Sequence, residues 1–79
     1  MFSGAIRLIK LGAKVGFGQT CLTEDTDYVG VTVSINGEVD GSADYKLGDT
    51  ASMDSLNEWL NGLADAIERG EYGVVRFAQ

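Results

Sequence analysis

A chain of 79 residues suffices for one small domain and leaves no room for a second hydrophobic core. With 44% hydrophobic residues it has the composition of a folded globular chain, so disorder is not expected despite a net charge of −6. The single cysteine, Cys21, excludes an internal disulfide, and the lack of histidine excludes a zinc site of ordinary composition, so stability is expected from packing or association.

The N-terminal segment carries two competing periodicities. A strand-like alternation of apolar residues falls at Ile9, Leu11, Ala13, Val15 and Phe17. A spacing that fits a cationic helix falls at Phe2, Ile6, Ile9 and Ala13. We favour the strand over residues 6–17, with the helix as the alternative, because Gly12, Gly16 and Gly18 would each destabilise a helix by about 1 kcal/mol relative to alanine.

The same segment argues against a membrane or secretory role. Arg7, Lys10 and Lys14 interrupt it, and no charge-free run in the chain exceeds ten residues. A spanning helix needs about 20 apolar residues. A reducing cytoplasm is therefore the expected location, and there a lone thiol is ordinary.

After a polar segment from Gln19 to Asp27, predicted as a surface loop, residues 28–47 have the pattern of a β-hairpin. The first strand has β-branched residues at every second position: Val29, Val31, Val33 and Ile35. Asn36-Gly37 supplies the two positive φ angles of a type I′ turn. The return strand is expected to place Val39, Ala43, Tyr45 and Leu47 on the inner face. Its outer face would carry Glu38, Asp40, Ser42, Asp44 and Lys46.

From about Ser52 to Arg69 the apolar spacing changes to three and four residues, which predicts an amphipathic helix. Its inner stripe consists of Met53, Leu56, Leu60, Leu63 and Ile67. Asp49, Thr50 or Ser52 can cap its start, and Gly70 stands where a left-handed residue would end it. Trp59 is expected at the margin of this stripe. A final short strand is predicted at residues 74–78.

These elements predict a single α+β domain over residues 1–79, in the order β-β-β-α-β. The sheet would be antiparallel, with about four strands and the amphipathic helix packed on one face. The other face would be open, or would be used for docking.

No motif for nucleotide binding, calcium binding or cysteine catalysis is complete in this sequence. The glycines Gly12, Gly16 and Gly18 lack the spacing and the lysine of a phosphate-binding loop. Glu24, Asp25 and Asp27 are not followed by the bidentate glutamate of a calcium loop, and Cys21 has no histidine to act as its base. We expect no enzyme and no cofactor.

Charge is distributed unevenly along the chain. Residues 1–23 contain three basic and no acidic side chains, whereas the remaining 56 residues carry a net charge of −9.

One face of the predicted helix concentrates the acids, at Asp54, Glu58, Asp65 and Glu68. Like charges at these spacings destabilise a helix by a few tenths of a kcal/mol per pair, and only Arg69 offers local relief. Such carboxylates, with those of the hairpin, can resemble the phosphates of a nucleic acid and compete for a basic groove. A solvated face that maintains solubility is the alternative.

The hairpin around Asn36-Gly37, Asp44-Tyr45, and the segment Leu56-Asn57-Glu58-Trp59-Leu60-Asn61-Gly62-Leu63 together resemble the core of a small phage anti-CRISPR family. Members of that family bind the type I Cascade surveillance complex. The resemblance covers residues 29–63. Thr32 stands where the family is expected to place an acidic contact residue, so no contact residue is carried over. The resemblance implies a protein that blocks target DNA without chemistry.

The sequence thus predicts a phage-type inhibitor in the host cytoplasm. Its partner would be a protein or ribonucleoprotein complex with a basic surface, neither free nucleic acid nor a membrane. The predicted contact residues are Glu38, Asp40, Asp44, Asp54, Glu58, Asp65 and Glu68. The alternative is an assembly protein that uses the open sheet face to form an oligomer or to dock on a larger complex. A monomer or a homodimer fits either hypothesis.

Overall fold

The computed structural model describes residues 2–19 and 27–77 and shows an α+β fold. Along the described chain, the elements are α1 (Ser3–Lys10), β1 (Lys14–Gln19), β2 (Tyr28–Ile35), β3 (Glu38–Lys46) and α2 (Thr50–Glu68). The strands form an antiparallel sheet in the order β1-β2-β3. Both helices cover one face of it, α1 beside β1 and α2 beside β3, and they pack against each other. The class and the antiparallel sheet are therefore confirmed, but the described residues form three strands rather than about four, and a helix, α1, stands where the predicted first strand begins. The predicted loop falls largely on residues 20–26, outside the described residues, as do Cys21, Glu24 and Asp25.

The N-terminal segment contains a helix followed by a strand, so each of its two periodicities was correct for one half. The strand prediction for residues 6–17 is wrong up to Ala13, because residues 6–10 belong to α1 and residues 11–13 form the turn that precedes β1. Gly12, at φ 101°, ends α1 because it supplies the left-handed residue of a helix C-terminus. The N–H of Ala13 donates to Leu8 O at 2.9 Å, and that of Gly12 donates to Ile9 O at 3.1 Å. Gly16 and Gly18 lie in β1, so their low helix propensity does not reduce the stability of α1.

The hairpin prediction is confirmed. Asn36 and Gly37 have φ angles of 54° and 84°, as a type I′ turn requires. Val31, Val33 and Ile35 are buried on the inner face of β2, toward the helices.

A β-bulge in β3 changes which side chains face the core. The register shifts between Val33, which pairs with Gly41, and Ser34, which pairs with Val39, so Asp40 is the extra residue. Because a shift of one residue moves a side chain to the opposite face, Val39 lies opposite Ser34 on the open face and is 67% exposed. The prediction that Val39 faces inward is therefore wrong. Tyr45 is buried as predicted, whereas Ala43 and Leu47 are exposed.

Helix α2 has the predicted amphipathic character, but it begins at Thr50 rather than about Ser52 and ends at Glu68 rather than Arg69. The carboxylate of Asp49 accepts a hydrogen bond from the N–H of Ser52 at 3.2 Å and caps the first turn. Gly70, at φ 83°, ends the helix in the left-handed conformation. The buried residues of α2 are Leu56, Leu60, Ala64, Ala66 and Ile67. Trp59 is partly buried over Gly41, where an added Cβ would approach the indole to 3.0 Å.

Residues 72–77, which we call the C-terminal strap, cross the turn end of the hairpin instead of forming the predicted strand. The Tyr72 hydroxyl donates to the Asp40 carboxylate at 2.8 Å. The Asn36 side chain then donates to Val74 O at 3.0 Å and accepts from the N–H of Arg76 at 2.8 Å. The backbone of the strap is thus paired with a side-chain amide rather than with an edge strand. Residue 78, the end of the predicted strand, lies outside the described residues.

We expect Asn36→Gly to release the strap without disturbing the turn. Glycine adopts the positive φ of residue 36 at no steric cost, but it removes both hydrogen bonds to the strap. Each such bond contributes about 0.5–1.5 kcal/mol, so amide exchange at Arg76 should accelerate roughly tenfold. NMR-detected hydrogen exchange measures this, with the amides of β2 as the internal reference. Unchanged protection at Arg76 would show that the side chain of Asn36 does not hold the strap.

Candidate functional site

Helices α1 and α2 meet along a row of polar contacts, which we call the polar seam. On α2 this seam occupies part of the acidic face, which was expected to be exposed to solvent. The backbone N–H of Gly4 donates to Asn57 Oδ1 at 3.0 Å. Asn57 and Asn61 each donate from the side-chain amide to the hydroxyl of Ser3 at 3.3 Å. Such close approach requires Gly4, because a Cβ at this position would lie 2.6 Å from the backbone nitrogen of Asn61.

Arg7 extends this seam and binds two of the predicted contact residues. Its guanidinium donates to Asp65 at 2.7 Å, to Glu68 at 2.9 Å and to the side-chain oxygen of Asn61 at 2.8 Å. The hydrogen bonds to Asp65 and then Glu68 raise the pKa of Arg7 above its ordinary value. Asp65 and Glu68 therefore help to attach α1 to α2.

The local relief of the acidic helix face that was expected from Arg69 is not observed. Arg69 donates to Glu71 at 2.7 Å, and Arg7 supplies the relief instead. Sequence reasoning missed Arg7 because it lies 58 residues before Asp65, and pairs at that separation leave no periodic signal.

The two halves of α2 differ in whether their acidic side chains have ion-pair partners. Asp54 and Glu58 are exposed one turn apart, and neither has a hydrogen bond or an ion pair within the described residues. Arg7 acts further along the helix, at Asp65 and Glu68. The predicted acidic stripe is thus divided into an unneutralised N-terminal half and an ion-paired C-terminal half.

The acids of the hairpin do not extend this surface as one face. Asp44 precedes the buried Tyr45 in β3 and therefore projects from the open face, on the side of the sheet away from α2. Asp40 lies at the bulge and accepts from Tyr72, and this hydrogen bond raises the pKa of the tyrosine. Glu38 is exposed beside the turn. The structure therefore places the seven predicted contact residues in several environments rather than on one continuous surface.

The open sheet face is small and polar. The positions on that face include Gly16, Gly18, Thr32, Ser34 and Ser42. At one end, the ammonium of Lys46 lies 6.0 Å from the ring centre of Tyr28. Among the described residues, the exposed apolar side chains near this face are Val39 and, beside Lys14 and Ser34 at the end crossed by the strap, Val74 and Phe77.

Among the described residues, no polar or charged residue is buried, and no three potential metal ligands of the His, Cys, Asp or Glu type lie together. No helix in the described part of the chain is long and apolar enough to cross a membrane.

Comparison with known protein families, curated protein sequences and solved structures finds no match to this chain.

Proposed function

We propose that this protein is a non-enzymatic, phage-type inhibitor that binds a CRISPR surveillance complex in the host cytoplasm and prevents its binding to target DNA. The observation that carries the proposal is a pair of exposed carboxylates, Asp54 and Glu58, on the outer face of α2, for which the described part of the chain provides no partner. The fold supplies Arg7 to neutralise Asp65 and Glu68 but leaves the first pair uncompensated. A cationic partner surface would provide that compensation.

The helix that carries this pair is held at both ends and along one side. Asp49 caps its start, Gly70 ends it, and Leu56 and Leu60 fix its inner face in the core. Carboxylates on such a helix have a nearly fixed spacing before binding. A partner then loses little free energy in ordering the backbone that carries them.

The resemblance to anti-CRISPR proteins supports the class of partner. Residues 29–63, which carry the resemblance, include most of β2, all of β3 and the first three quarters of α2. Asp54 and Glu58 lie within this part, whereas Asp65 and Glu68 lie outside it. We assign the contact to Asp54 and Glu58 in the N-terminal half of α2, because these two acids of the stripe have no partner within the described residues, and we leave the hairpin acids Glu38 and Asp44 out of it.

The test is a DNA-binding assay with purified type I Cascade complexes. The wild-type chain should prevent binding of target duplex DNA, and the double variant Asp54→Asn with Glu58→Gln should block more weakly. The loss should be larger at low than at high ionic strength, because salt screens the attraction between exposed charges. The variant should remain folded, because neither carboxylate has a partner within the described residues.

A matched control adds the same amount of charge elsewhere. Val39→Lys with Ser42→Lys also raises the net charge by two, but on the open face of the sheet. It should retain blocking if α2 makes the contact. Equal loss in both variants would indicate a response to total charge, and the absence of blocking by the wild type across the Cascade subtypes would contradict the proposed function.

A further inference from the structure

A cleft of about 580 Å³ lies where the C-terminal strap crosses the end of the sheet, and we call it the strap cleft. Three segments of the chain line it: the turn between α1 and β1 with the start of β1, the turn end of the hairpin, and the strap itself. Its volume falls within the range of about 300–1,000 Å³ that small-molecule sites occupy. The cleft is therefore large enough for a small organic ligand.

Contacts on both sides of the strap fix the walls of this cleft. The side chain of Asn36 binds Val74 O at 3.0 Å and the N–H of Arg76 at 2.8 Å. On the other side the strap passes close to Gly12, where an added Cβ would lie 3.3 Å from the carbonyl carbon of Arg76. A ligand thus meets walls that are already in place, and little free energy is lost in ordering them.

The strap cleft carries positive charge in an acidic chain. Lys14 of β1 and Arg76 of the strap both line it, and none of the described residues that line it is acidic. Neither cation forms an ion pair with a described residue, because the ion pairs there are made by Arg7 and Arg69. The chain has 12 acidic against six basic side chains, so two uncompensated cations in one cleft favour a negatively charged ligand.

The acid next to the hairpin turn, Glu38, projects to the other side of the sheet. Lys14 lies opposite Ser34 in the pairing of β1 with β2, and both alternate with inward-facing residues, so they project from the open face. Glu38 pairs with the buried Ile35 and therefore lies on the helix side of the hairpin. It does not neutralise the cleft from the open face.

The remaining groups of the cleft suit a phosphate ester that carries an aromatic ring. The guanidinium of Arg76 has the fork geometry that matches phosphate oxygens, and the ammonium of Lys14 can bind a phosphate as a point charge. The hydroxyl of Ser34, which also lines the cleft, can donate a further hydrogen bond. Val74 and Phe77 are 85% and 73% exposed and form an apolar wall against which a planar ring can pack.

We propose that the strap cleft binds a small aromatic phosphate ester of about the size of a mononucleotide. Its phosphate group contacts Lys14 and Arg76, and its ring packs against Val74 and Phe77. A small ligand is favoured over a nucleic-acid strand, because the chain as a whole has a net charge of −6 and repels a polyanion. This inference does not rest on the proposed function, which uses Asp54 and Glu58 on α2.

An NMR titration of the full chain with AMP, UMP and phenyl phosphate tests the proposal. At least one of these esters should bind with a Kd below about 1 mM and shift the amide signals of residues 12–14, 34–37 and 74–77. Adenosine and inorganic phosphate each lack one part of the ligand, so each should bind at least about tenfold more weakly than the tightest ester. No binding of any ester up to about 10 mM would overturn the proposal. Inorganic phosphate that binds as tightly as the esters would do so too, since it would identify an adventitious ion only.

Variants of the cleft residues locate the site. Lys14→Gln and Arg76→Gln should each weaken binding of the tightest ester at least about fivefold. Both should keep the wild-type circular dichroism spectrum, because these side chains are exposed and have no partner within the described residues. Lys46→Gln, the same change of charge near Tyr28 at the other end of the sheet, is the matched control and should bind like the wild type. Equal losses in the Lys14 and Lys46 variants would indicate a response to total charge and overturn the site.

Phe77→Ala separates the ring from the phosphate. This variant should bind the tightest ester no better than inorganic phosphate, whereas its affinity for inorganic phosphate should stay at the wild-type value. Undiminished binding of the ester would contradict the packing of the ring against Phe77.

A final comparison distinguishes a free ester from the end of a nucleic-acid strand. A short single-stranded DNA with a 5′-phosphate should bind no more tightly than its mononucleotide, because its additional phosphates meet an acidic protein. Binding of the strand more than about tenfold tighter would overturn the assignment to a small ligand. The ligand should also slow amide exchange at Arg76, because a ligand that binds only the closed cleft stabilises the strap. Unchanged exchange at saturation would place the ligand elsewhere.

Discussion

Replacing Leu60 with alanine is expected to lower the free energy of unfolding by about 2 to 4 kcal/mol. Leu60 is fully buried in the middle of α2 and belongs to the core formed by the sheet and both helices. The substitution would remove apolar contacts and leave a cavity in a core that has few residues to compensate. Because domains of this size are only marginally stable, such a loss is a large part of the total.

Chemical denaturation at one fixed protein concentration measures the effect, and fixing the concentration removes any contribution from association. Leu47→Ala is the matched control, since Leu47 is exposed beyond the end of β3 and its truncation should change stability by less than about 0.5 kcal/mol. Equal midpoints for the Leu60 variant and the wild type would show that the inner face of α2 has been assigned incorrectly.

Gly4→Ala is expected to destabilise the protein although alanine is the better helix former. Helix propensity alone would favour alanine by about 1 kcal/mol. A Cβ at residue 4, however, would lie 2.6 Å from the nitrogen of Asn61 and 2.7 Å from the Cβ of Leu60, so α1 would have to move away from α2. Overpacking of this kind costs about 1–3 kcal/mol, and separation of the helices would also stretch the ion pairs of Arg7. We therefore expect a net loss of about 1 kcal/mol.

Gly62→Ala is the same chemical change in α2, and we expect it to stabilise the protein. Gly62 lies in α2 with no atom within 4 Å of an added Cβ, so only the propensity term remains and stability should rise by about 0.5–1 kcal/mol. Thermal and chemical denaturation of the two alanine variants give the comparison. A stabilising effect at Gly4 as well as at Gly62 would show that the two helices are not in the close contact described here.

The elements that could be predicted from the sequence are those with a local signal. The hairpin followed from the alternation before Asn36-Gly37, and α2 followed from its apolar spacing between Asp49 and Gly70. The bulge at Asp40 could not be predicted, because Val39, Ala43 and Tyr45 keep the spacing of an unbroken strand and the extra residue leaves no local signal. The strap was also missed, since its bonds are made to the side chain of Asn36, some 40 residues earlier.

Helix α1 illustrates a different difficulty. An isolated helix of eight residues is only marginally populated, so its formation depends on contacts that the local sequence does not contain. Those contacts are the seam with Asn57 and Asn61 and the ion pairs of Arg7. The same long-range pairs changed the interpretation of the acidic stripe, because they neutralise Asp65 and Glu68. The separation of the stripe into two halves thus became apparent only once the tertiary fold was known.

The seam between α1 and α2 also determines when the fold can be completed during translation. Its hydrogen bonds join residues separated by 53 to 61 positions, so α1 emerges from the ribosome long before its partner. At typical bacterial elongation rates this interval is about 3 to 10 seconds, far longer than local helix formation takes. The nascent hairpin can close in the meantime, but Ile6 and Ile9 remain on an undocked segment. The apolar N-terminus is therefore available to chaperones until α2 has been synthesised.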